Sequence, residues 1–390
     1  MTEASPAPAE EPEPTPRPAR RRRWLRWVAL GTSVLVLAAA GVSWALYQRL
    51  NGNITTDQDT AEELARHEDE RPAPAPSEAQ NILLLGSDSR DGSNSEYGRG
   101  GGTARSDTTM LLHLPKDRSS ATAMSLPRDL MVEIPSCRKP DGSRSEAQLA
   151  QFNWAFEFGG AACTIRTVEQ LTDIRVDHHM IVDFTGFKDI VNAVGGVEVC
   201  LADAVSDTDA KLELEAGRQV LQGEDALGYV RARKSFDGSD TQRMDRQQQF
   251  LGSLVQKVRT NGVLLNPTKL YPFLDAATSA LTADSGLNSL KELYDLASSL
   301  RNIPEDQVRF LTVPRKQYTL DANRDELVQP AADQLFTQLR KDRPIRVGDQ
   351  QDDPTDGKKA AQDGSSSSTY RGMTAARDAC AADSAKNGAD

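Results

Sequence analysis

Between residues 80 and 260, short apolar runs ended by polar turns alternate with stretches of helical period. NILLLGSD (81–88) is apolar and stops on Gly-Ser-Asp, which predicts a buried strand running into a loop. TTMLLHLP (108–115) and ATAMSLP (121–127) predict two more strands joined by the turn KDRS, and PRDLMVEIP leaves the third. FNWAFEFGG (152–160) opens a helical stretch that CTIRTVEQLTDI (163–174) continues as an amphipathic helix. HHMIVDF (178–184) reads as a strand, TGFKDIVNAVGG as a helix stopped by glycines, and VEVCL as another strand. DALGYVRAR is short, apolar and then basic, with Arg231 and Arg233 at strand period. TQRMDRQQQFLGSLVQKVRT is a helix. Strands and helices alternate, so the expected class is α/β with a central sheet.

The flanks carry a different pattern. Residues 1–26 are Pro, Ala and Glu ending in an arginine cluster, a composition that predicts a disordered tail. Residues 27–48 hold an apolar run without charge, long enough as a helix to span roughly 30 Å of hydrocarbon. Arg20, Arg21, Arg22, Arg23 and Arg26 precede it, so its N-terminal side is expected in the cytoplasm and the rest of the chain outside. AAAG at 38–41 admits a cleaved signal peptide as the rival reading; the run continues past those alanines, which favours an uncleaved anchor. Residues 49–79 are polar, acidic and Pro-Ala-rich and read as a linker. Residues 80–346 are the folded domain, long enough for a substantial core. Residues 347–390 read as a mostly disordered tail.

Charge then changes the picture. The chain has a formal net charge of -11, yet YVRARKSFDGSDTQRMDRQQQF (229–250) gathers four arginines and a lysine. Arg243, Arg246 and Gln247 share a helix face by their spacing. Arg231 and Arg233 share a strand face if that segment is a strand. Three further Asp-Arg pairings fall at strand ends: Asp88 with Arg90, Arg105 with Asp107, and Arg128 with Asp129. Loops at strand ends are where α/β folds hold ligands. Guanidinium forks match phosphate oxygens, and Asp88 and Asp107 are hard oxygen ligands of the kind magnesium takes beside a phosphorylated substrate. The constellation suggests a diphosphate held by arginines with one divalent cation.

Several chemistries lack support. The glycine-rich SEYGRGGGTA has no Gly-Lys-Ser/Thr after it, which argues against a P-loop. The four cysteines have no C-x-x-C spacing. Cys137 and Cys163 flank a polar loop and a helix start, so they are expected to pair; a Cys200–Cys380 bridge would tie down part of the tail. His178 and His179 point to opposite faces of a strand and do not suit one metal. An acidic body outside the cytoplasm argues against nucleic acid. Phe152, Trp154, Phe156, Phe158, Phe184 and Phe187 are candidates for an apolar pocket or for plain core.

NILLLGSDSR, RSDTTMLLHL, SLPRDLMVEIP, FNWAFEFGG, DFTGFKDIVNAVGGVEV and GEDALGYVRAR…DTQRMDRQQQF together resemble the LytR-CpsA-Psr family of Gram-positive bacteria, densely over 80–260 and more loosely to about 340. The resemblance implies a central mixed β-sheet flanked by helices and a long apolar pocket for a polyprenyl chain. It implies a phosphotransferase moving a glycopolymer from a polyprenyl-pyrophosphate carrier to the C6 hydroxyl of N-acetylmuramic acid in peptidoglycan, with polyprenyl phosphate released. By motif match, Asp88 and Asp107 fall on magnesium-associated positions (manganese could substitute). Arg90, Arg128, Arg231, Arg233, Arg243 and Gln247 fall on pyrophosphate-binding ones, and Arg105 and Arg246 are neighbours. Arg128, Arg231, Arg233 and Asp107 are the expected catalytic set, and Phe152, Phe156, Phe184 and Phe187 the expected lipid-pocket set. Asp107 and Asp88 are both candidates for the general base. The segment between Asp88 and Asp107 is longer than in many relatives, and Asn192 stands where relatives often carry Asp. A pyrophosphatase and a non-catalytic binder of lipid-linked glycans would use the same residues and stay open.

Overall fold

The computed structural model describes residues 19–75, 78–87, 106–232, 240–260, 266–348 and 369–377. The chain forms two compact units, 1–49 and 50–390. Helix α1 (Ala19–Asn53) makes up the described part of the first and ends in the second. From Trp24 on it is long and apolar enough to cross a membrane, and Val34, Leu35, Val36 and Leu37 are all exposed along it. Exposed aliphatic side chains all along one helix match a lipid surrounding. One N-terminal apolar helix fits a single-pass membrane protein.

Of residues 49–79, expected as a linker, residues 50–75 and 78–79 are described as part of the second unit instead, with a strand and a helix of their own. Strand β1 (Thr55–Thr56) is followed by α2 (Gln58–Arg66), which starts where the Asp57 carboxylate accepts the Thr60 N–H at 3.0 Å. Leu64 and Glu63 of α2 are buried. Two acids of the stretch after α2 are matched by arginines far along the chain, Glu70 by Arg166 at 2.7 Å and Glu68 by Arg175 at 2.6 Å, and Arg71 beside them meets Glu169 at 2.7 Å. Composition alone marked these acids as solvated; their partners lie about a hundred residues away.

The large sheet is built from β1, β2 (Gln80–Ser87), β3 (Ser106–Leu114), β4 (Ala121–Leu126) and later strands. Between them lie a hairpin of β5 (Met131–Ile134) and β6 (Gln148–Gln151), and α3 (Asn153–Thr172). Then come β7 (His178–Asp183), α4 (Phe184–Ala193), the small strands β8 (Val197–Leu201), β9 (Val205–Asp207), β10 (Leu212–Leu214) and β11 (Gly217–Leu221), and α5 (Gly223–Arg231). Helices α6 (Asp240–Thr260) and α7 (Pro267–Ser279) precede β12 (Leu281–Ala283), α8 (Leu290–Arg301) and β13 (Val308–Thr312). A hairpin of β14 (Arg315–Tyr318) and β15 (Asp321–Leu327), then α9 (Ala331–Arg340), β16 (Arg346–Gly348) and β17 (Thr369–Thr374) complete the described chain. Nine strands form the main sheet in the order β1-β12-β7-β2-β3-β4-β13-β17-β16, with parallel and antiparallel pairs mixed.

Strand alternation divides the core. Leu83, Leu85, Leu111, Met124, Leu126 and Leu311 face α3 and α9. Ile82, Leu84, Leu112, Ala123 and Phe310 face the other side, toward α6 and α8. A third cluster joins α4, α5, α6 and the small strands around Val191, Tyr229 and Phe250.

The Cys137–Cys163 disulfide is present and ties the loop after β5 to α3. Gly159 interrupts α3 beside it: a Cβ there would lie 2.8 Å from the Arg138 carbonyl oxygen. Cys200 is disulfide-bonded too, while Cys380 lies outside the described residues. The 347–390 tail contributes β17 to the sheet, between β13 and β16. Its fit depends on Gly372, where any Cβ would collide with the Phe310 carbonyl oxygen.

Candidate active site

Antiparallel β3 starts where β2 ends, β4 ends beside that start, and β7 runs parallel to β2. One edge of the sheet therefore collects Gly86, Asp107, Arg128 and Asp183. A cavity of about 470 Å³ opens there. Its apolar wall includes Phe184, Phe187, Val230, Phe250 and Leu251; its polar rim includes Asp107, Arg231, Arg243 and Gln247.

Arg231 was expected on a strand. It is the last residue of helix α5, because Ala226 and Tyr229, three residues apart, are buried at helical spacing against the small strands and α6. Its guanidinium carbon stands 4.5 Å from the Phe184 ring centroid, a cation–π contact that fixes the charge at the cavity mouth. Arg243 and Gln247 sit one turn apart on α6 and both reach the cavity. Arg243, 4% exposed, points an Nη2 toward the Asp107 carbonyl oxygen at 3.5 Å, and the Gln247 amide donates to the Val230 carbonyl at 3.1 Å. Arg246 departs from the expected shared face: it donates to the Ala232 carbonyl, tying α6 to the end of α5.

Arg128 is clamped between two carboxylates. Its Nη1 meets Asp107 Oδ1 at 2.9 Å and its Nε meets Asp129 Oδ2 at 3.2 Å. Asp88, Arg90, Arg105 and Arg233 lie outside the described residues. Among the described residues, no cluster of three or more His, Cys, Asp or Glu has a metal-binding arrangement.

Of the four expected lipid-pocket phenylalanines, Phe184 and Phe187 line the cavity. Phe152 and Phe156 do not: Phe152 is 1% exposed in the core beneath α3, and Phe156 packs against that core. Their segment leads into a helix on the far face of the sheet, so the same aromatic richness serves packing there.

Sequence reasoning missed Asp183, Asp207, Asp209 and Phe250, which also line the cavity. Phe250 was readable from its place three residues after Gln247 on the same helix. Asp207 ends the short strand β9 and Asp209 lies in the turn after it, with no apolar run to announce them. Gln248, buried at 1%, donates to Ser125 Oγ at 3.0 Å and Thr312 Oγ1 at 2.9 Å, anchoring α6 to the sheet. On the outer side of α6, burial pushes the Asp245 carboxyl up, opposed by Arg371 of β17 at 3.0 Å.

Comparison with known proteins agrees with this architecture. Residues 48–341 match the LytR_cpsA_psr family. LcpA, a cell wall biosynthesis protein of Corynebacterium glutamicum, is 33% identical over 315 residues, covering 74% of this chain and 59% of its own length. LcpB of the same organism is 37% identical over 227 residues, covering 57% and 52%. The chain thus spans somewhat over half the length of these two relatives. TagT of Bacillus subtilis, a polyisoprenyl-teichoic acid–peptidoglycan teichoic acid transferase, is 30% identical over 298 residues, covering 74% of this chain and 85% of its own. Among solved structures, protein gbs0355 of Streptococcus agalactiae aligns with a TM-score of 0.55 at 25% identity, covering 68% of this chain and 87% of that one. TagT bound to LI-WTA aligns at 0.51 and 26%, covering 70% and 96%. With its mixed sheet, its flanking helices and a match running from residue 48 to 341, the chain belongs to the LytR_cpsA_psr family.

Proposed function

We propose that the chain is a membrane-anchored phosphotransferase. It moves a glycopolymer from a polyprenyl-pyrophosphate carrier to the C6 hydroxyl of N-acetylmuramic acid in peptidoglycan. The N-terminus is cytoplasmic, α1 is an uncleaved anchor, and the folded unit works outside the membrane. The observation that carries this reading is the pairing of an apolar cavity with a cationic rim: Phe184, Phe187 and Phe250 beside Arg231 and Arg243, next to the Asp107–Arg128 pair. An aliphatic chain suits the first set and a diphosphate the second. TagT and LcpA, with their roles in teichoic acid transfer and cell wall biosynthesis, support the same direction.

In this reading Arg231, Arg243 and Arg128, with Arg90 and Arg233, bind the diphosphate and stabilise the charge that develops as it is cleaved. The acceptor oxygen bonds to the sugar-side phosphorus. The bond from that phosphorus to the lipid-side oxygen breaks, and polyprenyl phosphate leaves with the electron pair. The acceptor proton passes to a site carboxylate, for which Asp107 is the described candidate. Asp107 also fits a magnesium ion: one of its oxygens bonds Arg128, and the other has no hydrogen bond among the described residues. Magnesium takes one or two protein carboxylates plus substrate phosphates, so Asp107 with Asp88 would hold it. When bound, the ion would offset diphosphate charge.

The test is transfer by the full chain in detergent, given a synthetic polyprenyl-pyrophosphate-linked sugar, Mg²⁺ and a peptidoglycan oligomer. A sugar-phosphate adduct on the oligomer, seen by mass spectrometry with the wild type and lost in Arg231→Ala, is expected. Release of free sugar phosphate without an adduct would instead make the protein a pyrophosphatase. Tight lipid binding without turnover would make it a binder.

A further inference from the structure

Arg128 separates two environments. On one side stands Asp107, which lines the cavity. On the other stands Asp129, whose Oδ1 accepts from the Gln151 amide at 2.6 Å and lies 3.9 Å from Arg324. Neither Arg128 nor Asp129 lines the cavity. An in-line displacement brings its acceptor in opposite the leaving group. If the lipid phosphate leaves toward the cavity, the acceptor arrives from the Asp129 side.

That side carries unusual surface. The Asn153 N–H donates to the Arg128 carbonyl oxygen at 3.0 Å, so the start of α3 abuts Arg128 directly. Asn153 is 7% exposed, yet among the described residues its side-chain oxygen accepts no hydrogen bond. A buried acceptor left without a donor is costly, and a bound donor would relieve it. Trp154 follows and is 37% exposed, held edge-on to Phe158 with centroids 6.0 Å apart. Leu149 shares its strand face with Gln151 and is half exposed. Leu320, exposed as well, is at the tip of the β14–β15 hairpin that carries Arg324. Leu149, Trp154 and Leu320 are three of the five large exposed apolar side chains described in the second unit (the others are Val220 and Tyr294), and each lies on a segment with a residue that reaches Arg128 or Asp129.

We propose that Trp154, with Gln151, Asn153 and Leu149, forms the acceptor subsite and binds a glycan strand of N-acetylated sugars. The proposal rests on the transferase reading of the neighbouring cavity. The indole offers a flat apolar face to the C–H face of a pyranose ring. The Asn153 oxygen, and the Gln151 oxygen left over from its bond to Asp129, accept from sugar hydroxyl and acetamido N–H groups. A hydrocarbon chain would leave these amides unpaired, and a purely anionic partner would meet Asp129.

Binding is tested separately from turnover. The chain has four tryptophans, and the other three, Trp24, Trp27 and Trp44, lie on α1. Titrating the full chain in detergent with a peptidoglycan-derived N-acetylglucosamine–N-acetylmuramic acid oligosaccharide is expected to give a saturable fluorescence change that Trp154→Phe removes. In the transfer assay, Trp154→Ala is expected to raise the acceptor KM roughly tenfold. The donor KM should stay within about twofold. Trp154→Tyr, which keeps an aromatic face, should recover most of the loss and guards against a folding defect. A wild type that binds the saccharide but transfers nothing would refute the transferase reading and keep the subsite. No fluorescence change in the wild type, or a Trp154→Ala protein whose acceptor KM is unaltered or moves with the donor KM, would overturn the subsite.

Discussion

The two faces of the central sheet begin from one alternating pattern and end differently. Toward α3 and α9, Leu83, Leu85, Leu111 and Met124 meet Phe152 and Phe336 in a closed core. Toward α4, α5 and α6, the strand ends stop short of filling the space, and Phe184, Phe187 and Phe250 surround a cavity rimmed with charge. Phenylalanine occurs on both. What separates packing from binding is the presence of a polar rim: Arg231 and Arg243 border the cavity beside the second set, whereas a buried charge at the first cluster, Glu169, is closed off in an ion pair with Arg71. An open cavity forfeits dispersion contacts and transfer free energy, so its retention beside fixed cations points to a ligand with a greasy and an anionic part.

The sharpest way to break this comparison is to truncate one phenylalanine on each face. Phe152→Ala should cost about 3–5 kcal/mol of stability in denaturant unfolding, since it deletes a fully buried ring. Phe187→Ala should cost less and should raise the KM for the lipid-linked donor. Equal losses of stability would erase the distinction. Next comes charge. Arg231→Ala should lower transfer by about a hundredfold or more with an unchanged unfolding midpoint, as expected when a group that stabilises developing charge is removed. The closed face also carries the disulfide. Breaking it with Cys137→Ser/Cys163→Ser should cost about 3 kcal/mol and leave the donor KM alone.

The smallest effect concerns the end of the sheet away from the site. The hydrogen bond that His178 Nδ1 donates to Asp284 Oδ1 at 3.1 Å raises the pKa of His178, against the opposing pull of burial. A histidine raised above its unfolded value stabilises fully below that value, about 6.5, and loses the contribution as pH rises through the folded pKa. The contribution of His178 should therefore fade from mildly acidic toward alkaline pH, and His178→Gln should remove that component from pH-dependent melting, leaving the opposite one of His113, whose pKa burial lowers. Transfer should be indifferent to the change.

Much of this was legible in the sequence, and unevenly. β2, β3, β4 and β7 are dense apolar runs with sharp polar stops, so their identity and their strand-end polar residues read directly. Asp107 and Arg128 were found that way, and Arg243 and Gln247 by helical spacing. Helix α5 was not: it is nine residues long with glycines at 223 and 228, and packing of Ala226 and Tyr229 decides it over propensity. Helix α2 and strand β17 were hidden for a related reason. Both lie in stretches whose partners are remote in sequence: Leu64 of α2 joins the core with α3 residues, Glu68 and Glu70 just after α2 meet Arg175 and Arg166, and β17 pairs with β13. The separation of Phe152 from Phe187 required knowing which face of the sheet each flanking helix covers.

The central claim is that the lipid-linked diphosphate occupies the cavity between α4, α5 and α6. The most direct measurement is photo-crosslinking of the full chain, in detergent, with a polyprenyl diphosphate carrying a photoreactive group on its chain, followed by peptide mapping. The account predicts label on Phe184, Phe187, Val230 or Phe250, competed away by unlabelled lipid and weakened in Arg231→Ala. Label concentrated on α3 between Phe152 and Phe158, or label indifferent to competition, would contradict it.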